Sequence, residues 1–144
     1  MSKEIVLSIC IPTYNRAECL DQCLQHIICQ FNNEKIKNSI EIVISDNAST
    51  DNTAQVVKKF QKSFANIRYF RNKKNLGIDK NIINAVIKAT GTYCWHIGDD
   101  DFIQNGGLEF IVNFLLKKEV AILTIDFHTF IDINKSLHKD DSII

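Results

Sequence analysis

Four times along this chain a short strand-like run is followed by a polar loop and then by apolar residues at helical spacing, and no other feature constrains the fold as much. Ile5 to Ile11 has the length and composition of a strand and is closed by Pro12, the only proline. After the loop Pro12 to Arg16, apolar residues at Leu20, Cys23, Leu24, Ile27, Ile28 and Phe31 predict a helix. Ile40 to Ser45 predicts the second strand, and the loop Asp46 to Thr53 leaves it, rich in residues that cap helices. The next helix carries Ala54, Val57, Phe60 and Phe64 on one face. A third strand, Ile67 to Phe70, leads through Asn72 to Gly77 into a helix marked by Ile78, Ile82, Ala85, Val86 and Ala89, which stops at Thr90-Gly91. The fourth strand, from Tyr93, ends at Gly98. A fourth long helix follows on Leu108, Ile111, Val112 and Leu115, then a fifth strand at Ala121 to Phe127, after which the pattern fades. The alternation predicts one α/β domain over residues 1–144, a mostly parallel sheet with helices on both faces, because each crossover must be right-handed.

In such sheets ligands sit outside the carboxyl ends of the strands. Three polar loops fall there: Pro12 to Arg16, Asp46 to Asp51, and Asp99 to Asp101. The last is the most telling. Three carboxylates in one turn destabilise one another unless a cation lies among them. A hard divalent ion, Mg2+ or Mn2+, takes one or two carboxylates together with the phosphates of a substrate. A solvated acidic turn, or a cap on the following helix, is the alternative reading of the same residues.

Composition narrows the classes. With 45% hydrophobic and 24% charged residues and a formal net charge of zero, the chain fits a globular domain and gives no support to a nucleic-acid partner. No apolar run approaches the ~20 residues that span a bilayer. The start, Met1-Ser2-Lys3-Glu4, lacks the apolar region of a signal peptide, so a cytoplasmic protein is expected. Cys10, Cys19, Cys23, Cys29 and Cys94 form no zinc-like spacing and read as buried free thiols without disulfides. His96 reads as a packed strand residue and Trp95 as core, while His26, His128 and His138 have no partner at catalytic spacing.

Four motifs together resemble glycosyltransferase family 2. Ser8 to Arg16 is similar to that family's first strand and P-T-Y-N loop, and Ile42 to Thr53 to its D-D-G-S-T-D-G-T loop, with Asn47 and Ala48 replacing the second Asp and the Gly. Asn75-Leu76-Gly77 resembles its N-x-G, and Gly98 to Asp101 its D-x-D-D. The match runs over about residues 5 to 115, in order and at matching spacing. Aligned strictly, Gly98 stands where the first Asp is usual and Asp100 at the metal position; a shift of one residue makes Asp99 and Asp101 the pair. Asn81-Ile82-Ile83 replaces the Ala-Arg-Asn that often follows N-x-G. The W-x-x-G-D-D-D form resembles the abequosyltransferase-like branch of bacterial surface-polysaccharide enzymes.

The resemblance implies a Rossmann-like GT-A fold, here the nucleotide-sugar binding half alone, with the acceptor-binding half missing. It implies inverting transfer from a UDP-, dTDP- or CDP-sugar to a saccharide or lipid-linked acceptor, with Mn2+ or Mg2+, in the cytoplasm at the inner face of the membrane. Pro12, Thr13, Tyr14, Asn15, Arg16, Asp46, Asn47, Ser49, Asn75, Gly77 and Asp99 would bind the nucleotide sugar, with Asp46 reading a base N–H. Asp99, Asp100 and Asp101 would hold the metal. Asp51 reads equally as a helix cap. The general base is expected downstream, since Asp126, Asp132, Asp140 and Asp141 have no context resembling it, so the chain alone is expected to bind donor but transfer sugar very slowly. A non-catalytic nucleotide-sugar binding module is the main rival. A nucleotidyltransferase would want a glycine-rich, basic phosphate loop that Pro12 to Arg16 does not supply.

Overall fold

The computed structural model describes residues 4–31, 33–123 and 125. Four parallel strands, β1 (Leu7–Thr13), β2 (Ile40–Asp46), β3 (Ile67–Arg71) and β4 (Tyr93–His96), form a sheet in the order β3-β2-β1-β4. The helices are α1 (Ala17–Ile28), α2 (Glu34–Ser39), α3 (Thr53–Gln61), α4 (Ile78–Ile87) and α5 (Gly107–Leu115). The chain runs outward from β1 to β3, then α4 returns it across the sheet to β4 on the other side of β1. Loops leaving β1 and β4 therefore part at a topological switch point, where such sheets open a crevice.

Period-two alternation divides the core. Ile9, Ile11, Ile42, Ile44 and Ile67 face Leu20, Leu24 and Ile27 of α1, Val57 and Phe60 of α3, Phe64, and Leu108, Ile111 and Val112 of α5 in one apolar cluster. Burial of each such side chain stabilises by about 1.5–3 kcal/mol. The opposite face is smaller: Cys10, Val43 and Ala85, with Phe70 and Ala89 against them, so that α4 alone of the described helices covers it. Its polar end is tied by Glu41, whose carboxylate accepts from the Ser8 hydroxyl at 2.6 Å, from Thr90 N–H at 2.6 Å and hydroxyl at 2.9 Å, and from Arg68 Nη1 at 3.1 Å. Burial works to raise the Glu41 pKa, but these donors outweigh it and hold it below its ordinary value. Gly91 lets the backbone approach here, since a Cβ would stand 2.7 Å from Ser8 Oγ and 2.9 Å from Ser8 N.

The α/β class, the parallel sheet and the helices on both faces stand as expected; several local expectations do not. Pro12 lies inside β1 rather than closing it. Cys10 O accepts from Ile97 N, so Pro12, two residues on, faces the same side, beyond the last β4 pair at His96, and its missing N–H leaves no rung unfilled. Helix α2 was not anticipated. On α3 Thr53 is buried beside Val57 and Phe60, with Ala54 exposed. On α4 the buried positions are Asn81 and Ala85, while Ile78 and Ile87 are 73% and 70% exposed. Among the described residues β4 is the outermost strand, and its Cys94 and His96 are exposed, as is Cys29; only Cys10 and Cys23 are buried thiols. Of the fifth strand expected at Ala121 to Phe127, positions 124, 126 and 127 lie outside the described residues, and positions 121–123 and 125 carry no ladder. His128, His138, Asp126, Asp132, Asp140 and Asp141 also lie outside them.

Candidate functional site

The loops at the carboxyl ends of the strands are bonded to one another in sequence around the crevice. From the end of β1, the buried Thr13 hydroxyl donates to Asp99 Oδ2 at 2.7 Å, joining the β1 loop to the turn after β4. Asn15 adopts a left-handed backbone, φ 52°, which asparagine tolerates. Its N–H donates to Ser49 Oγ at 2.9 Å and its Oδ1 accepts from Thr50 N at 2.7 Å. Asp51 caps two helices: Oδ2 accepts from Ala17 N at 2.9 Å, and Oδ1 from Thr53 N at 3.0 Å and the Thr53 hydroxyl at 2.6 Å. Although burial raises the Asp51 pKa, these donors lower it overall. Ala48, at φ 67°, takes the left-handed conformation that glycine adopts without a Cβ penalty.

Asp46 lies beneath this loop, fully buried. Its Oδ1 accepts from Ser49 N at 2.8 Å, and its Oδ2 accepts the Tyr69 hydroxyl and lies 3.5 Å from Arg71 Nε. Burial and the Asp46 carboxylate together push the Tyr69 hydroxyl pKa up, keeping it a donor. Arg71 also donates from Nη2 to Ser49 O at 2.6 Å.

An asparagine network carries the chain of contacts on to the loop before α4. Asn47 Nδ2 donates to Asn75 Oδ1 at 2.9 Å and Gly77 O at 3.2 Å, and its Oδ1 accepts from Leu76 N at 2.8 Å and Asn72 Nδ2 at 3.1 Å. Asn81 Nδ2 donates to Thr13 O and Ser45 O, and its Oδ1 accepts from Ser45 and Asn72. An aspartate at position 47 could not make the two donated bonds. Gly77, at φ 87°, supplies the left-handed turn into α4.

At the β4 end the charge is concentrated. Asp99 is buried and Asp100 exposed, and Arg16 meets both: Nε lies 3.4 Å from Asp99 Oδ1, and Nη2 donates to Asp100 Oδ2 at 2.7 Å. Asp101 turns back instead, accepting from Gly98 N at 2.6 Å. Burial raises the Asp99 pKa and the Asp100 charge adds to it, against the Thr13 hydroxyl and Arg16, which lower it. At Gly98 a Cβ would stand 2.9 Å from Asp100 Oδ1 and 3.0 Å from Asp101 Oδ2, so a larger residue there would displace these two carboxylates. Among the described residues, no three or more His, Cys, Asp or Glu side chains gather as a ready metal cage. Asp99 and Asp100 nonetheless converge on one cation, the Arg16 guanidinium. Two hard carboxylates fit an ion that completes its shell with substrate phosphates.

The structure thus brings Thr13, Asn15, Arg16, Asp46, Asn47, Ser49, Asn75, Gly77, Asp99 and Asp100 into one bonded ring. Tyr14 projects from it at 43% exposure, and Pro12 supports it from β1. Tyr69, Arg71, Asn72 and Asn81 escaped the sequence reading. A cleft of about 300 Å³ beside β4, lined by Leu7, Tyr93, Trp95, Ile111 and Leu115 among others, has no acidic group among the described residues that line it.

A family model, described as glycosyl transferase family 2, matches residues 8–141. The abequosyltransferase RfbV of Salmonella typhimurium is 42% identical over 112 residues, covering 77% of this chain and 33% of that protein. The GalNAc(5)-diNAcBac-PP-undecaprenol beta-1,3-glucosyltransferase of Campylobacter jejuni is 33% identical over 95% of this chain and 45% of its own length. The chain therefore spans between a third and a half of these curated relatives. The crystal structure of S. aureus TarS residues 1–349 in complex with UDP superposes with a TM-score of 0.71 at 24% identity, covering 89% of this chain and 40% of that one, and shares its GT-A-like α/β fold.

Proposed function

The chain belongs to glycosyl transferase family 2, and from that premise we propose that it binds a nucleoside-diphosphate sugar across the crevice. The donor is a UDP-, dTDP- or CDP-sugar, held with Mn2+ or Mg2+, and the reaction served is inverting transfer to a saccharide or lipid-linked acceptor in surface-polysaccharide synthesis. The observation that carries this reading is the meeting of Thr13, Arg16, Asp99 and Asp100 at the switch point between β1 and β4. The abequosyltransferase and undecaprenol-linked glucosyltransferase relatives support the polysaccharide role, and the UDP complex of TarS supports a pyrimidine nucleotide.

Asp99 and Asp100 would hold the ion, with Asp101 fixing their turn through Gly98. When bound, a divalent ion supplies Lewis-acid compensation for the negative charge that develops on the departing diphosphate. Tyr14 and Asn15 line the base and ribose side. Asp46, already accepting from Ser49 and Tyr69, fixes the loop that carries the base, and Asn47, Asn75 and Gly77 close that side. The acids placed around the crevice, Asp46, Asp51 and Asp99 to Asp101, all lie on the nucleotide side, so the base that deprotonates the acceptor hydroxyl comes from elsewhere in the enzyme. No helix among the described residues is long and apolar enough to cross a membrane. We take the domain to work in the cytoplasm, at the membrane face where lipid-linked acceptors are met.

Titration of UDP, dTDP, CDP and ADP into the protein with and without Mn2+, for the wild type and Asp100→Asn, tests the reading. Mn2+-dependent binding of a pyrimidine diphosphate, weakened in the variant at unchanged melting temperature, is expected. Equal affinity with and without Mn2+ would remove the acidic turn from the site. A donor-sugar panel with lipid-linked acceptors then separates a transferase from a binding module.

A further inference from the structure

Arg16 is the only basic side chain paired with Asp99 or Asp100 among the described residues, and it is paired with both. The loop that carries it does not need those pairs. Asn15 N–H is held by Ser49, Thr50 N–H by Asn15, and Ala17 N–H by Asp51, so the backbone on either side of Arg16 is fixed by neutral and capping bonds to the β2 loop. The Arg16 side chain is 45% exposed; its closer partner, Asp100, is 56% exposed, so solvent screens that pair, and its contact with buried Asp99 is the longer one at 3.4 Å. The guanidinium is thus strongly placed but weakly held, at the point where a divalent ion and a diphosphate would meet.

Charge arithmetic gives the placement its consequence. Three carboxylates and one guanidinium leave the turn with two net negative charges, enough to attract a divalent cation. Once that cation is seated, an arriving diphosphate brings new negative charge, and a forked guanidinium is the side chain best shaped to meet phosphate oxygens. Resting on the nucleotide-sugar reading above, we infer that Arg16 is the resident counter-ion of Asp99 and Asp100, and that it transfers to the donor's diphosphate as the metal ion replaces it. The exchange makes the two ligands cooperative: nucleotide draws Arg16 off the carboxylates and so opens them to metal, and metal frees Arg16 for nucleotide. Linkage requires the two effects to be equal in size.

The test reads each ligand alone and then together, in the full chain. Free Mn2+ is followed by its electron paramagnetic resonance signal, with and without UDP, and UDP binding in EDTA by calorimetry, for wild type, Arg16→Gln and Arg16→Lys. Arg16→Gln is expected to tighten Mn2+ binding in the absence of nucleotide by about fivefold, the factor equivalent to an exposed ion pair. The same variant should weaken metal-free UDP binding by about tenfold, as for a lost charge-assisted contact, and reduce the factor by which UDP strengthens Mn2+ binding. Opposite signs for the two ligands distinguish this role from a structural one, since a loosened loop would weaken both. Should Arg16→Gln lose its cooperative melting transition, Arg16→Met, which also removes the charge, decides by the same pair of signs, while Arg16→Lys, with its charge but no fork, should leave Mn2+ binding near wild type and weaken UDP binding less. Mn2+ affinity unchanged or lowered in the charge-removing variants, while wild-type UDP binding remains Mn2+-dependent, overturns the counter-ion role and leaves the nucleotide-sugar reading standing. Wild-type UDP binding that ignores Mn2+ overturns both.

Discussion

The two sides of the crevice are held by different physics. On the side built from the β1, β2 and β3 loops, every buried polar group is matched by a neighbour: Asn47 uses both its donors and its acceptor, Asn81 likewise, and Asp46 is enclosed by Ser49, Tyr69 and Arg71. On the β4 side, Asp99 and Asp100 share one part-exposed guanidinium, and Asp101 closes the turn on Gly98. The first is a finished surface, rigid before any ligand arrives. The second is balanced only in part, and its remaining charge is a demand for a cation. On the proposed reading, a crevice so divided would fix the base by shape and leave the diphosphate end to respond to what binds.

That contrast is broken most severely by making the finished side charged. Asn47→Asp replaces two donated bonds with a carboxylate facing Asn75 Oδ1 and Gly77 O, and should destabilise the fold by about 3 kcal/mol in urea denaturation. A smaller effect is expected where the two sides join. Thr13→Val removes the hydroxyl from buried Asp99 and should lower stability by about 1–2 kcal/mol, and a loss below 0.5 would mean that Asp99 needs no partner on β1. Smaller still, and of the opposite sign, Ala48→Gly relieves a left-handed alanine. It should raise stability by about 0.5–1 kcal/mol, the relief being offset in part by the freer unfolded chain. Least of all, Asp101→Asn keeps an oxygen for Gly98 N–H and should change both stability and Mn2+-dependent UDP binding little, by less than about 0.5 kcal/mol. A loss as large as that of Asp100→Asn would move the metal pair to Asp99 and Asp101.

The strands and the site loops were legible because each depends on residues close in sequence. β-branched runs such as Ile40 to Ile44 mark themselves, and the loops announce their chemistry at the points where those runs end. What escaped depends on register or on partners. Tyr69 and Arg71 matter because Ile44 pairs with Tyr69 and Asp46 with Arg71 across the sheet, which no single segment reveals. The face of α4 was misjudged for a related reason. A count of apolar residues at helical spacing favours Ile78 and Val86, but the buried place goes to Asn81, whose bonds to Thr13, Ser45 and Asn72 meet the cost of removing its amide from water. The apolar composition of β4 suggests burial for Cys94 and His96, yet among the described residues β4 is the outermost strand and both lie on its exposed face.

The account stands on one claim, that metal and nucleotide meet between the β1 loop and the β4 turn. Paramagnetic broadening of backbone amide resonances by sub-stoichiometric Mn2+ in the presence of UDP measures where the ion sits. The account predicts that amides at 13–16 and 98–101 broaden first, that those at 46–49 follow, and that α5 and the outward face of α4 are spared. Broadening centred on α5 or on the open face of β4, with the amides of 98–101 sharp, would contradict it.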